Sequence, residues 1–152
     1  MPAIINGKMY NHPLGFNLYN INNSKNNIKN VNIAIVGEGE KFCLGYASYF
    51  GMENDITVAC CGSNLTSYQF NLLLSLGVEE IVIAFDKQFQ EIGDKEWRRW
   101  TKKLTEINSK YGKYVKISYM FDKDNLLGYK ESPIDAGKDI FTQMFMDRII
   151  IS

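Results

Sequence analysis

Hydrophobic and polar residues form a regular pattern from position 31 onward. Three short runs are continuously apolar, which is typical of strands buried on both faces of a sheet: 31–36, 56–60 and 81–85. A fourth segment, 114–121, alternates between apolar and polar residues and also reads as a strand. The pattern therefore predicts about four strands in the second part of the chain.

Segments with apolar residues at helical spacing follow each of these strands. Each is flanked by residues that commonly begin or end a helix, such as threonine, aspartate and glycine. With their caps, the predicted helices span 41–51, 64–77, 94–112 and 135–146. Strands joined by helical crossovers run parallel, with helices on both faces of the sheet. The sequence therefore predicts an α/β fold, and ligands in such folds bind at the carboxyl ends of the strands.

Residues 17–32, "NLYNINNSKNNIKNVN", are dense in asparagine. A segment of this composition buries little surface, so we expect 1–30 to be an irregular arm or linker and 31–152 to form the domain. A general coding bias toward asparagine, lysine and isoleucine would explain the same composition.

Charge, cysteine usage and the length of the apolar runs exclude several classes of protein. Lysine and arginine number 17, aspartate and glutamate also number 17, so the chain as a whole does not bind nucleic acid by net charge. Cys43, Cys60 and Cys61 show no CxxC spacing, which favours a reducing environment. No apolar run is long enough for a membrane span, and no signal pattern opens the chain. We expect a cytoplasmic protein with no membrane partner.

Two carboxylates stand at the predicted strand ends. Glu38 lies between two glycines after the first strand, and Asp86 follows the third strand directly. Carboxylates that converge at one sheet edge can hold Mg²⁺, which prefers oxygen ligands. The alternative is that each residue caps a helix or faces solvent. A dinucleotide-binding loop is disfavoured, because Phe42 occupies the position of its third glycine.

The segments "AIVGEGEKFCLGYASYFG" and "VACCGSNLTSYQFNLLLSLGVEEIVIAFDKQ" resemble a Toprim domain. This Rossmann-like module binds metal in bacterial-type (DnaG-like) DNA primases and in type IA and type II topoisomerases. The similarity is greatest to primases of phages and mobile elements, and it extends to "YKESPIDAGKDIF". The resemblance implies Mg²⁺ or Mn²⁺ as cofactor.

The resemblance assigns roles to individual residues. Glu38 matches the catalytic glutamate, and Asp86 matches the first aspartate of the Asp-x-Asp metal motif. Gln88 stands where the second aspartate is expected, so it would bring an amide oxygen to the metal without the charge that the two-metal site implied by the resemblance requires. Phe42 occupies the place of a further acid, and nearby Glu40 is a partial substitute.

Further residues are expected to contact phosphate or nucleic acid. They are Lys130, Glu131, Asp135, Gly62, Asn64 and Lys41. The basic residues Arg98, Arg99, Lys102 and Lys103 fall on one face of a predicted helix. We interpret that face as the solvated side of an amphipathic helix, with contact to a nucleic-acid backbone as the alternative.

The resemblance implies a primase domain that synthesises RNA primers on single-stranded DNA from nucleotide triphosphates. A replicative helicase is a further expected partner. The chain carries no Cys/His cluster for a zinc module, so we expect a fragment of a longer primase. Two alternatives stay open, a Toprim-type nuclease and a non-catalytic module that binds nucleic acid.

Overall fold

The computed structural model describes residues 17–150 in full and residues 2–5 and 8–11 by their backbone. Those two short ranges form an antiparallel hairpin of β1 (Pro2–Ile5) and β2 (Lys8–Asn11). The main sheet has five strands. They are β3 (Ile33–Gly37), β4 (Thr57–Ala59), β5 (Glu80–Ile83), β6 (Lys116–Tyr119) and β7 (Ile149–Ile150), in the order β4-β3-β5-β6-β7.

The first four strands of this sheet run parallel, as the sequence predicts, and β7 pairs antiparallel with β6 at the edge. The sequence did not predict β7, because two residues give no periodic signal. The chain passes from β3 to β4 on one side and then returns to β5 on the other side of β3. The carboxyl ends of β3 and β5 therefore flank the point where the strand order reverses, which is where open α/β sheets bind ligands.

Five α-helices and two short 3₁₀ turns lie in the described part of the chain. The helices are α1 (Ile21–Val31), α2 (Glu40–Phe50), α3 (Ser67–Ser75), α4 (Lys95–Tyr111) and α5 (Lys138–Met146), and the turns are Met52–Asn54 and Pro133–Ala136. The predicted caps are confirmed: Thr66 accepts a hydrogen bond from the Gln69 amide, and Asp94 accepts one from the Trp97 amide. None of the helices in this part of the chain is long and apolar enough to cross a bilayer.

Successive residues of the central strand contact two separate hydrophobic clusters. Ile81 and Ile83 of β5 belong to the cluster that includes α1, α3 and α4, whereas Val82 belongs to the cluster that includes α2 and α5. Since neighbouring strand residues point to opposite faces, helices cover both faces of the sheet. This is the arrangement predicted from the continuously apolar strands.

The expectation of an irregular arm over 1–30 is wrong for the helical residues of α1. Ser24 and Ile28 of α1 are fully buried. Asn20, immediately before the helix, donates from Nδ2 to Asp55 Oδ2 at 2.8 Å and to the Thr57 carbonyl at 2.9 Å. These asparagine bonds tie the segment to the sheet although its composition is polar. Residues 1, 6–7 and 12–16 of the expected arm lie outside the described residues.

Candidate metal and phosphate site

Glu38 and Asp86 meet where β3 and β5 end. Glu38 follows β3 directly, and the Asp86 amide donates a hydrogen bond of 2.6 Å to Glu38 Oε2. The side-chain amide of Gln88 donates to the same oxygen at 3.2 Å. Glu38 Oε1 and the Asp86 carboxylate accept no hydrogen bond from the residues that the structure describes. The fold thus brings together the three residues predicted to form the metal site and leaves carboxylate oxygens available.

Burial and neighbouring carboxylates disfavour the charged form of Asp86. Burial, followed by the negative charges of Glu38 and Asp135, raises the pKa of Asp86 to about 6, against the opposing effect of Lys41. Carboxylates raise one another's pKa in this way when no cation separates them. A divalent ion would relieve that repulsion, and perturbed pKa values of this kind concentrate at functional sites.

Gln88 is oriented differently from a metal ligand. Its Oε1 faces the Lys103 ammonium at 3.4 Å, and its Nε2 faces Glu38. The lysine can only donate, so it fixes which end of the amide carries oxygen. The side chain would have to turn over to bring oxygen to a metal ion at the carboxylates.

The donor set fits one weakly held Mg²⁺ or Mn²⁺. Among residues 17–150 no group of three or more His, Cys, Asp or Glu side chains is arranged to hold a metal ion. Glu38 and Asp86 supply two carboxylates with oxygens that are not hydrogen-bonded. Mg²⁺ commonly binds one or two carboxylates and completes its shell with water and substrate phosphate. The residues therefore suit a magnesium ion that shares its coordination with a phosphate-bearing ligand.

The two glycines beside Glu38 differ in how much space a side chain would have. A Cβ built on Gly37 would lie 2.2 Å from Phe42 Cδ1, which is far below any real contact, so this position requires glycine. No atom of the described residues lies within 4 Å of a Cβ built on Gly39, where α2 begins. Phe42 is 3% exposed and packs near Phe141, so the position of the expected acid has become part of the core. Glu40 is exposed at the start of α2 and is not part of the cleft lining.

Lys41, Asp135 and Gly62 lie at the edge of this site. Lys41 Nζ is 3.6 Å from Asp135 Oδ1, with the lysine side chain 90% exposed. Asp135 also caps its 3₁₀ turn by accepting from the Ser132 amide at 2.8 Å. The Gly62 amide donates to the Glu38 carbonyl at 3.1 Å. Asn64 is exposed and makes no hydrogen bond within the described residues. Lys41 and Asp135 thus act on the electrostatics of Asp86, whereas Asn64 has no visible link to it.

Lys130 and Glu131 differ in their availability. Lys130 lines the cleft, and its ammonium lies 5.4 Å from the centre of the Tyr129 ring. The Glu131 carboxylate accepts from the Gly128 amide at 2.7 Å and closes the turn between them. Lys130 is therefore free to meet an anionic ligand, while Glu131 has a structural contact within its own loop.

Lys87 was missed by the sequence analysis, and it organises this loop. Its ammonium is 2.9 Å from Asp122 Oδ2, and the two side chains are 4% and 3% exposed. It also donates to Asn125 Oδ1 at 2.7 Å. The Lys87 amide donates to the Glu131 carbonyl, and its carbonyl accepts from the Lys130 amide. Lys87 therefore holds the 122–131 loop beside Asp86 and Gln88. The sequence did contain a signal for this burial. Lys87 alternates with Phe85 and Phe89, and in an extended segment residues at alternate positions point to the same side.

Helix α4 contributes residues that the sequence analysis assigned to a solvated face. Arg98 and Lys102 are exposed, as that interpretation predicts. Arg99 is exposed and Lys103 is half-buried, and both line a cleft of about 410 Å³. The cleft lining also includes Glu38, Asp86, Gln88, Glu96, Trp100, Tyr129 and Lys130. The Tyr129 hydroxyl donates to Glu96 across the cleft and ties the loop to α4. The spacing of these residues along the helix does not show which of them face the cleft. That depends on where the edge of the sheet lies, which the sequence does not give.

Comparison with known proteins adds a relative and several solved structures. No protein-family model matches the chain. The SPbeta prophage-derived uncharacterized protein YorJ of Bacillus subtilis (strain 168) is 33% identical over 158 residues, covering 99% of this chain and 42% of YorJ. The chain therefore spans less than half of the length of that relative.

Several solved structures that it resembles are primases. The Aquifex aeolicus primase, with its zinc-binding and RNA polymerase domains, superimposes with a TM-score of 0.64 at 22% identity, covering 95% of this chain and 32% of that one. The E. coli primase catalytic core gives 0.66 at 19% identity, covering 93% and 43%. A DnaG primase catalytic domain bound to ssDNA gives 0.65 at 20% identity, covering 91% and 41%. The chain therefore has the Toprim-containing fold of the DnaG primase catalytic cores, which confirms the fold predicted from its sequence.

Proposed function

We propose that this chain is the Mg²⁺- or Mn²⁺-dependent catalytic domain of a primase-like enzyme, which joins nucleotide triphosphates into RNA primers on single-stranded DNA. The observation that carries the proposal is the meeting of Glu38 and Asp86 at the reversal point of the sheet, with the pKa of Asp86 raised to about 6. The fold supports it, because the solved structures with this fold include primase catalytic cores. A replicative helicase as partner and a cytoplasmic location belong to the same proposal.

The residues of the site divide the chemistry between them. Glu38 and Asp86 would hold the metal ion, which when bound neutralises phosphate charge and orients it for in-line attack. Glu38 Oε2 is held by the Asp86 and Gln88 donors, so Oε1 is the oxygen available to the metal ion or, where Asp86 alone holds the ion, to the proton of an attacking 3′-hydroxyl. Lys130, exposed at the mouth of the cleft, would attract the phosphate groups as a point charge.

Gln88 gives a specific reason to consider a second function. Its amide replaces a carboxylate, and its oxygen is turned toward Lys103. A site with two carboxylates binds divalent ions less tightly than one with three, so the chain would also suit a non-catalytic module that binds nucleic acid. The Toprim-type nuclease stays open as a third function with the same metal site.

One assay separates these functions. The chain is incubated with Mg²⁺ or Mn²⁺, labelled nucleotide triphosphates and end-labelled single-stranded DNA, and products are resolved on a gel. Our proposal expects short labelled RNA from the wild-type chain and none from Glu38→Gln. Metal-dependent shortening of the DNA would show a nuclease instead. Binding of DNA with neither product and no effect of Glu38→Gln would show a non-catalytic module.

A further inference from the structure

Lys103 is held in the cleft by two neutral groups from two different loops. Its ammonium donates to Ser63 Oγ at 2.7 Å, in the loop after β4, and to Gln88 Oε1 at 3.4 Å, in the loop after β5. An exposed lysine commonly keeps its ammonium in bulk water. This side chain is instead half-buried and is positioned at both strand ends.

The Lys103 ammonium has no carboxylate partner in the part of the chain that the structure describes. No ion pair within 4.0 Å joins it to an acidic side chain of the residues that the structure describes. An ammonium has three donors, and two of them are directed at Ser63 and Gln88. The third donor and the unpaired positive charge are therefore available to a ligand in the cleft, and an anion is the ligand that would use both.

The residue at position 88 decides whether that charge is available. An aspartate there would place a carboxylate beside Lys103, and the two charges would neutralise each other. The neutral glutamine positions the ammonium and leaves its charge free. A free positive charge on α4 and a carboxylate at position 88 therefore exclude each other in this part of the site.

We propose that Lys103 binds a phosphate group of the nucleotide at this site, and that its charge takes the place of a second divalent ion. The Gln88 and Ser63 contacts position the ammonium, and Glu38 with Asp86 hold a single metal ion. This inference rests on the proposed function, because it takes a nucleotide triphosphate as the ligand. It explains why the expected second aspartate is replaced by a glutamine rather than by an apolar residue.

Two binding measurements on the whole chain test the proposal. Calorimetric titration with inorganic triphosphate in the presence of Mg²⁺ is run on the wild type and on Lys103→Met, which keeps the aliphatic stem. The matched control is Lys102→Met, which removes the same charge from the exposed neighbour on α4. Loss of one charged hydrogen bond predicts about tenfold weaker triphosphate binding for Lys103→Met, and less than about twofold for the control.

The number of bound Mn²⁺ ions, counted from the electron paramagnetic resonance signal of free Mn²⁺, gives the second readout. We expect one ion for the wild type and two for Lys103→Met/Gln88→Asp, in which a third carboxylate is no longer paired. Two ions in the wild type, or equal triphosphate affinity of Lys103→Met and Lys102→Met, would overturn the role of Lys103.

Failure of the inference is distinguishable from failure of the proposed function. If the wild type binds one Mn²⁺ and triphosphate but Lys103→Met binds triphosphate equally well, only the inference fails. If the wild type binds neither, both fail. Should Lys103→Met not fold, Ser63→Ala replaces it, since it removes the 2.7 Å contact and leaves the charge in place. Threefold or greater weakening by Ser63→Ala supports the proposal, and any smaller effect overturns it.

Discussion

Replacing Lys87 with methionine should lower the free energy of unfolding by about 3 kcal/mol, because it leaves Asp122 as an uncompensated buried charge. Both side chains are at most 4% exposed, so water cannot replace the lost ammonium without opening the loop. Removing one partner of such a pair costs about 3–5 kcal/mol. Asp122 keeps two backbone donors, the amides of Leu126 at 2.7 Å and Leu127 at 2.9 Å, which places the cost at the lower end.

Urea denaturation followed by circular dichroism measures this loss, and a thermal melt should show a midpoint lower by about 6–12 °C for a domain of this size. Lys102→Met is the matched control and should change the free energy of unfolding by less than about 0.5 kcal/mol. Asp122→Asn in the Lys87→Met background should recover about 1–2 kcal/mol, because it removes the unpaired charge. A loss below about 1 kcal/mol in Lys87→Met, or strict additivity in the double variant, would refute this account of the loop.

Two further changes test the packing and the electrostatics of the site. Gly37→Ala should lower the free energy of unfolding by about 1–3 kcal/mol through the clash with Phe42, and adding Phe42→Leu to this variant should recover part of the loss. Gly39→Ala, whose Cβ meets no atom of the described residues, should cost less in the same urea titration, and equal costs would contradict the role given to Phe42. The raised pKa of Asp86 contributes stability below pH 4 that is lost as pH rises through about 6. Without metal, Asp86→Asn should therefore be more stable than wild type at pH 7.5 by about 1 kcal/mol after solvent screening, and equally stable at pH 3.5; a wild type that is the more stable protein at pH 7.5 would show that the carboxylates do not repel.

The parallel sheet could be predicted because its strands are buried on both faces and read as continuous apolar runs. The cap residues Thr66 and Asp94 also marked their helices correctly. Helix α1 was missed because its few apolar positions lie among asparagines, and their hydrogen bonds to residues 55–57 cannot be seen before the sheet is in place. Composition alone therefore fails to predict a helix that is held in place by hydrogen bonds between its asparagines and residues distant in the sequence.

Glu38 and Asp86 could be predicted as site residues because each stands at the end of an apolar run that forms a buried strand. Lys103 could not, since its role depends on how α4 crosses the strand ends and not on its neighbours in the chain. Position 88 illustrates the same limit: the sequence shows a glutamine in place of an acid, but only the structure shows its oxygen turned toward a lysine. Site residues at the ends of strands, such as Glu38 and Asp86, are therefore predictable here. Site residues whose position depends on how a helix packs, such as Lys103, are not.

Binding of Mn²⁺ at Glu38 and Asp86 tests the central claim most directly. Backbone amide signals are followed by NMR while Mn²⁺ is added to the wild-type chain and to Glu38→Gln. The account predicts that paramagnetic broadening begins at the amides of Glu38 and Asp86 at millimolar or lower Mn²⁺, and that Glu38→Gln needs a higher concentration for the same effect. Signals of Glu38 and Asp86 that stay sharp at saturating Mn²⁺, or that broaden equally in both proteins, would contradict it.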